Sequence, residues 1–319
     1  MRILFVSHNR LGDAVLSTGL LGHLARQENA RITVACGPLP APLMAAAPGV
    51  VEVIPFAKRS YSRHWFALWR RVVGTRWDLL VDLRDSAMAW TVPARRRARY
   101  PGARDDEHRV VGLARTLVLE DTPSAPTITV PDAAAAEAAR LLPPGRPVLA
   151  VGPTANWRGK TWRAERFAEL IGRLTARDGL LSGAAVAIVG AAPEREAAAP
   201  VLQAIDPSRR IDLVGTVSLP ATAGCLARAA LYVGNDSGLM HVAAAVGAPT
   251  LGLFGPSRPE HYAPWGPRGA WVRTAKSYDE LVGGPGYDHR TTDTLMDSLT
   301  VDAVEVAAAG LWQRACRAA

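Results

Sequence analysis

The sequence predicts an α/β protein of two doubly wound domains, each a parallel sheet with helices on both faces. Short apolar strands alternate with helical segments in both halves of the 319-residue chain. A proline-rich stretch separates the halves, and one strand–helix–strand unit near the C-terminus is especially complete. We expect domains over 1–145 and 146–300, and a final helix over 301–319 for which packing back towards the first domain is one option.

The first half opens with an apolar strand over residues 3–6, then a Gly-bordered loop, then apolar residues at helical spacing over 15–25. An arginine-bearing helix is predicted over 65–73. The other predicted strands of this half are 32–36, 51–55 and 79–83. Because active loops of parallel sheets follow the carboxyl ends of the strands, the polar residues there are candidates for a site.

Residues 122–147 hold six prolines around one Ala-rich helix and are the expected linker region. A second α/β series follows it. Its predicted strands are 148–151, 185–189, 211–213, 231–233 and 250–254, and its predicted helices are 163–175, 194–204, 220–229, 239–246 and 301–316.

The most informative stretch runs over residues 231–264. Capping residues at 235–237 start a small-residue helix that Gly247 ends, so the helix opens at the carboxyl end of a strand. Such a helix start offers unpaired N–H groups and a partial positive charge, which suit a phosphate or pyrophosphate. An ordinary capped crossover without a ligand is the alternative.

Composition narrows the class of protein. The chain has no run of about 18 uncharged apolar residues and no secretory signal pattern, so we expect a cytoplasmic protein without a transmembrane helix. Its cysteines, Cys36, Cys225 and Cys316, are odd in number and far apart, which argues against a zinc quartet or a disulfide framework. The seven histidines show no metal-ligand spacing.

The net charge of +8 is regional. Residues 58–115 contain 14 Lys and Arg against 6 Asp and Glu, a surplus that equals the net charge. This indicates an anionic partner, unless the arginines form only a solvated face. The window has no nucleic-acid recognition motif and no evident stacking platform, so a phosphorylated substrate or an anionic membrane is favoured over nucleic acid.

Three further residues follow strand ends and carry chemistry. Asp13 is positioned for a general base, although capping the next helix would also explain it. Lys160 could neutralise phosphate charge, although a loop lysine is usually just solvated. Glu194 could accept hydrogen bonds from ribose hydroxyls, or serve as a first-turn helix carboxylate.

The motifs NRLGDAVLSTGLL, GKTW and GNDSGLMHVAAAVGAPTLGLFGPSRP together resemble the glycosyltransferase family that contains the ADP-heptose:lipopolysaccharide heptosyltransferases. The resemblance spans nearly the whole chain and is strongest in the last motif. It implies a GT-B fold, in which two Rossmann-like domains face each other across a cleft. The C-terminal domain would bind the nucleotide sugar and the N-terminal domain the acceptor.

The resemblance also implies an inverting, metal-independent transfer of heptose from ADP-heptose to a lipopolysaccharide inner core or another anionic glycolipid, without a cofactor. Asp13 corresponds to the catalytic base and Lys160 to a phosphate-contacting catalytic residue. The implied donor-binding residues are Gly12, Thr154, Glu194, Asp236, Ser237, Gly238 and His241. The candidate acceptor-binding residues are Lys58, Arg59, Arg63, Arg95, Arg96 and Arg97.

Other functions share this architecture. A GT-B enzyme could use another nucleotide sugar for a surface glycan, or epimerise a nucleotide sugar. A non-catalytic nucleotide-sugar-binding protein would need no Asp13. A lipid-linked acceptor would place the enzyme peripherally on the cytoplasmic face of the inner membrane, without nucleic-acid partners.

Overall fold

The computed structural model describes residues 1–58, 60–283, 287–288 and 291–317. The chain divides into two compact units, Met1–Thr129 and Val130–Ala319. Each unit is built on one parallel sheet, which confirms the predicted α/β fold class. The division falls earlier than the boundary after residue 145 that the prolines suggested.

The strands of the first unit are β1 (Arg2–Val6), β2 (Arg31–Cys36), β3 (Val50–Pro55), β4 (Trp77–Asp82) and β5 (Ala94–Arg99). They pair in parallel in the order β3-β2-β1-β4-β5, so the apolar β1 is central. The helices are α1 (Leu11–Leu16), α2 (Thr18–Ala25), α3 (Ala41–Ala45), α4 (Arg63–Val72), α5 (Met88–Thr91) and α6 (Arg109–Ala114).

The strands of the second unit are β6 (Val148–Gly152), β7 (Ala185–Ile188), β8 (Arg210–Asp212), β9 (Leu231–Asn235), β10 (Thr250–Phe254) and β11 (Gly269–Arg273). They are parallel, in the order β11-β10-β9-β6-β7-β8. The helices are α7 (Asp132–Leu141), α8 (Ala164–Thr175), α9 (Arg195–Gln203), α10 (Leu219–Ala227), α11 (Gly238–Ala245), α12 (Pro259–Tyr262), α13 (Tyr278–Val282) and α14 (Val301–Arg317).

The single helix predicted over 15–25 is wrong, because the chain forms α1 and α2 with a break at Ser17. The Ser17 hydroxyl donates to the Ala14 carbonyl at 2.7 Å and lies 2.9 Å from the Ser7 hydroxyl. A serine that bonds back to the preceding turn competes with the helix backbone. The first helix also begins at Leu11, four residues earlier than expected, so Asp13 lies inside it.

Two strands were not predicted, β5 and β11. Both lie at a sheet edge. The sequence of β5 is ARRRAR, and most of its residues are exposed, so it lacks the apolar pattern that marks a buried strand. Arg95, Arg96 and Arg97 are therefore held in a strand paired with β4 and not in a loop.

The division at Val130 follows from the packing of α7, the helix of the proline-rich stretch. It packs on α10, where a Cβ on Gly224 would lie only 3.0 Å from the Ala134 carbonyl oxygen and 3.1 Å from the Ala138 Cβ. The last helix, α14, packs within the same unit, with Val304, Ala308 and Leu311 fully buried in its core. Within the described residues, no helix has the length and apolarity needed to cross a membrane.

Candidate functional site

The strand–helix–strand unit of the late stretch forms as predicted, with β9 leading into α11 and α11 into β10. Ser237 is the N-cap residue of α11 and has extended backbone angles (φ −146°, ψ 168°), yet its side chain makes no capping hydrogen bond. The first N–H groups of a helix have no partner inside the helix. These amides and the helix dipole therefore suit an anion at this strand end.

The Lys160 ammonium is held against Asp236, the residue before that N-cap. The Nζ–Oδ2 distance is 2.5 Å, and the two side chains are 23% and 7% exposed. Lys160 ends the short 3-10 turn Arg158–Lys160, 76 residues before Asp236 in the chain. Two residues that the sequence offered separately thus form one ion pair, and a cation is fixed beside the start of α11.

The loop that carries Lys160 is fastened by Asn235, the fully buried last residue of β9. Its Oδ1 accepts from the Trp162 amide at 3.1 Å, and its Nδ2 donates to the Pro153 carbonyl at 2.8 Å. The Trp162 indole is buried and donates to the Leu299 carbonyl at 2.9 Å. Lys160 is therefore placed by a rigid support, which lowers the entropy cost of using it.

Thr154 and Glu194 lie together at Gly190, just after β7. A Cβ on Gly190 would lie 3.4 Å from Glu194 Oε2 and 3.5 Å from Thr154 Oγ1. Glu194 Oε2 also accepts from the Ala191 amide at 2.7 Å. The carboxylate thus caps the turn that Glu194 itself belongs to, in line with the alternative of a first-turn helix carboxylate. Its ribose-binding role stays a prediction.

Tyr232 lies among these residues, although the sequence analysis did not single it out. Burial raises the pKa of Tyr232, and the carboxylates of Glu194 and Asp236 raise it further, while the Ser237 hydroxyl lowers it. A tyrosine in an otherwise aliphatic strand, with a glycine two residues later, is the pattern that could have indicated it.

The remaining donor candidates differ in setting. Gly238 is the first residue of α11. His241 follows one turn later but is only 4% exposed, so most of its surface packs inside the unit. Gly12 is in α1 of the other unit.

Asp13 is the third residue of α1 and half-buried. It does not cap that helix, because the N-cap position belongs to Arg10 and no side chain caps there. Within the described part of the chain, its carboxylate accepts no hydrogen bond and forms no salt bridge. The capping alternative is therefore wrong, and the role of Asp13 as a base stays a prediction.

A cluster of charged groups surrounds His8, which the sequence analysis did not select. Burial lowers the pKa of His8 to about 4; the Asp13 carboxylate raises it, and the guanidiniums of Arg109 and Arg84 lower it. Its Nε2 is buried and has no hydrogen-bond partner among the described residues. Because its pKa lies well below 7, the imidazole is neutral near pH 7.

The basic candidates of the first unit have different surroundings. Lys58 and Arg63 are exposed, and Arg59 lies outside the described residues. Arg95 is exposed, with Nη1 3.8 Å from Asp78 Oδ1. Among the described residues, Arg96 has no side-chain partner.

Arg97 differs from its two neighbours because its guanidinium is engaged by the backbone. It donates to the carbonyls of Ala89, Ala94 and Val92 at 2.8, 2.7 and 3.2 Å. These bonds close the end of α5 against β5. Among the described residues, Arg95 and Arg96 make no such bonds to backbone carbonyls, and their acceptor-binding role stays a prediction.

In the residues that the structure describes, no three or more His, Cys, Asp or Glu side chains gather as a metal site would require. The positive charge next to the start of α11 comes from the Lys160 side chain and the helix amides.

Comparison with known proteins points to one family. A family model described as glycosyltransferase family 9 (heptosyltransferase) matches residues 108–281. This match includes Lys160 and the whole β9–α11 junction, but not Asp13.

Curated relatives carry heptosyltransferase names. Lipooligosaccharide heptosyltransferase 2 of Haemophilus influenzae is 31% identical over 40% of this chain and 37% of its own length. Lipopolysaccharide heptosyltransferase 2 of Salmonella typhimurium is 31% identical over 44% and 40%, so the chain spans about two fifths of these relatives. Lipopolysaccharide heptosyltransferase 3 of Escherichia coli is 24% identical over 80% of this chain and 83% of its own.

Solved structures share the fold over nearly the full length. The E. coli ADP-heptose lipopolysaccharide heptosyltransferase II has a TM-score of 0.75 at 24% identity and covers 99% of both chains. A glycosyltransferase of family 9 from Veillonella parvula has a TM-score of 0.81 at 22% identity, over 98% of this chain and 97% of its own. The predicted fold, α/β of the GT-B type with two parallel sheets, is confirmed.

The surroundings of His8 predict how stability depends on pH. The pKa of His8 is lowered from 6.5 to about 4 in the folded chain. Between these two pH values, His8 binds a proton in the unfolded chain but stays neutral in the folded chain. The stability that the protein has with a neutral His8 is fully present above pH 6.5 and is lost as the pH falls towards about 4. It amounts to at most about 3 kcal/mol of unfolding free energy.

We expect His8→Gln to lose less stability than the wild type between pH 7 and about 4.5, as measured by urea unfolding. His23→Gln is the matched control, because His23 is less buried and its pKa is lowered only by partial burial and Arg26. An unchanged pH dependence in His8→Gln would show that His8 titrates normally.

Proposed function

The chain belongs to glycosyltransferase family 9, and from that premise we propose that it is an inverting, metal-independent heptosyltransferase. The proposed donor is ADP-heptose and the proposed acceptor a lipopolysaccharide inner core. The observation that carries the proposal is the Lys160–Asp236 ion pair beside the uncapped start of α11, inside the family-matched segment.

The donor part of the proposal follows from the charge that develops during transfer. As the anomeric C–O bond breaks, the nucleoside diphosphate leaves with additional negative charge on its terminal phosphate. The Lys160 ammonium and the first amides of α11 would stabilise that charge from fixed positions. Since these groups supply the positive charge that a divalent cation can otherwise supply, the proposed reaction needs no metal. The names of the relatives support ADP-heptose as the donor.

Asp13 is the proposed base. Its carboxylate would take the proton of the acceptor hydroxyl while that oxygen attacks the anomeric carbon from the face opposite the leaving group. One observation supports this role: within the described residues the Asp13 carboxylate accepts no hydrogen bond and forms no salt bridge, although it lies near His8. Asp13 is held on a helix directly before the buried residues Ala14, Val15 and Leu16, which fixes where its side chain starts.

The acceptor part rests on the exposed basic residues of the first unit. Arg95 and Arg96 project from an edge strand, and Lys58 and Arg63 are exposed before and on α4. These cations would bind the anionic groups of an inner core. A lipid-linked acceptor would also bring the protein to the anionic cytoplasmic face of the inner membrane, where we propose that it binds peripherally.

The test of function is product formation. The purified protein is incubated with heptose-deficient lipopolysaccharide and a panel of nucleotide sugars that includes ADP-heptose, and products are identified by mass spectrometry. We expect the addition of one heptose from ADP-heptose. In Asp13→Asn, which keeps the side-chain shape but removes the base, transfer should fall about 10²- to 10⁴-fold.

ADP binding, measured by calorimetry, is the control for Asp13→Asn and should match the wild type. Near-normal transfer by a folded Asp13→Asn protein would contradict the base assignment. A product formed from a different nucleotide sugar would contradict the donor assignment, and donor binding without any transfer would indicate a binding protein.

Acceptor binding is tested by a pair of variants in β5. Joint replacement by Arg95→Ala and Arg96→Ala should raise the acceptor KM about fivefold and flatten its salt dependence, since exposed charges act mainly through screened attraction. Arg97→Ala should instead lower the melting temperature, because it removes three hydrogen bonds to carbonyls.

Steady-state kinetics against acceptor at several salt concentrations, with thermal melting, separates the two outcomes. Unchanged acceptor KM and salt dependence in the Arg95→Ala, Arg96→Ala protein would remove β5 from the acceptor site.

A further inference from the structure

Tyr232 is a fully buried tyrosine on β9, two residues before Gly234. Residues two apart on a strand share a face, so its ring lies on the same face as Gly234. Gly234 in turn pairs with Gly152, the last residue of β6. The phenol is therefore directed along two glycines towards the carboxyl ends of β6 and β9.

The two glycines leave room for the phenol oxygen. A Cβ on Gly152 would lie 2.2 Å from Tyr232 Oη, and a Cβ on Gly234 would lie 2.5 Å from it. Real Cβ atoms do not approach oxygen so closely, so any other residue at either position would displace the phenol. The tyrosine and the glycine pair form a matched set that brings Oη to the strand ends where the proposed donor site lies.

Tyr232 Oη is buried, and the described residues give it no hydrogen bond of normal geometry. The Ser237 hydroxyl lies beside it and lowers the pKa of the phenol, against the larger effect of burial, which raises it. The carboxylates of Glu194 and Asp236 also raise that pKa, so the phenol keeps its proton, while the lowering by Ser237 is the effect of a hydroxyl that points its hydrogen at the phenol oxygen.

Ser237 behaves unlike the other N-cap serines whose helices follow extended backbone. Ser218 accepts the Ala221 amide at 3.2 Å and Ser277 accepts the Glu280 amide at 3.3 Å. All three have extended backbone angles, but the Ser237 side chain makes no capping bond. A buried phenol beside the hydroxyl distinguishes Ser237 from the two serines that do cap.

We propose that Tyr232 is a positioning residue, which holds the Ser237 hydroxyl away from the first-turn amides of α11 and so keeps them open for the diphosphate of the donor. When the Ser237 hydroxyl turns to donate a hydrogen bond to a phosphate oxygen, the Tyr232 hydroxyl can in turn donate a hydrogen bond to Ser237 Oγ. This inference rests on the proposed function, because it assumes that a nucleoside diphosphate binds at this helix start.

The first test is amide hydrogen exchange in Tyr232→Phe, which keeps the ring and removes only the oxygen. Without the phenol oxygen, Ser237 should turn to cap α11 as Ser218 caps α10. Exchange of the Leu239 and Met240 amides should then slow about tenfold, whereas Tyr61→Phe, a matched change at a side chain 92% exposed, should leave it unchanged. This readout needs no nucleotide.

The second test is calorimetric binding of ADP to the wild type, Tyr232→Phe, Ser237→Ala and the double variant. We expect Tyr232→Phe to weaken ADP binding about tenfold, because the ligand must displace the new cap. The double variant should bind no more weakly than Ser237→Ala, since a hydroxyl that is absent cannot compete. The melting temperature of Tyr232→Phe should not fall, because the lost hydroxyl makes no hydrogen bond of normal geometry among the described residues.

The outcomes separate the two proposals. Unchanged amide exchange in Tyr232→Phe would overturn the positioning role, and so would effects of the two single variants that multiply in the double variant. Slower exchange with unchanged ADP affinity would overturn the link to the donor. If the wild type binds no ADP, the proposed donor fails, while slower exchange would still support the effect of Tyr232 on Ser237.

Discussion

The ion pair between Lys160 and Asp236 is the contact on which the candidate donor site depends. An exposed pair contributes about 0–1 kcal/mol, but removing one member of a buried pair costs about 3–5 kcal/mol. With exposures of 23% and 7%, this pair lies between those limits. The ion pair therefore holds the 158–160 turn against the β9–α11 junction. It fixes the Lys160 cation beside the uncapped amides of α11.

Neighbouring residues hold Lys160 and the start of α11 in this arrangement. Asn235 hydrogen-bonds to both Pro153 and Trp162, so it fastens the end of β9 to the loop that carries Lys160. Gly152 and Gly234 leave room for the Tyr232 phenol oxygen at the ends of β6 and β9. The same strand ends thus carry the Lys160 ammonium, paired with Asp236, and the neutral Tyr232 phenol beside Ser237.

The sequence predicted those elements whose formation depends on interactions between residues close together in the chain. The apolar run, capping residues and Gly247 of the late stretch were enough to place β9, α11 and β10. The pairing of Lys160 with Asp236 joins residues 76 apart, and no spacing rule encodes such a contact. The strand β5 escaped prediction because an exposed edge carries charge instead of apolar periodicity. His8 and Tyr232 were missed because their importance comes from burial, which the sequence does not display.

The central claim is that Lys160 contacts the terminal phosphate of the donor nucleotide, and the most direct measurement compares ADP with AMP by calorimetry. AMP lacks that phosphate, so Lys160→Met should weaken ADP binding about tenfold or more and leave AMP binding nearly unchanged. Lys160→Met combined with Asp236→Asn, which leaves no unpaired carboxylate, should show the same selective loss. Equal weakening of ADP and AMP, or unchanged ADP binding, would contradict the account.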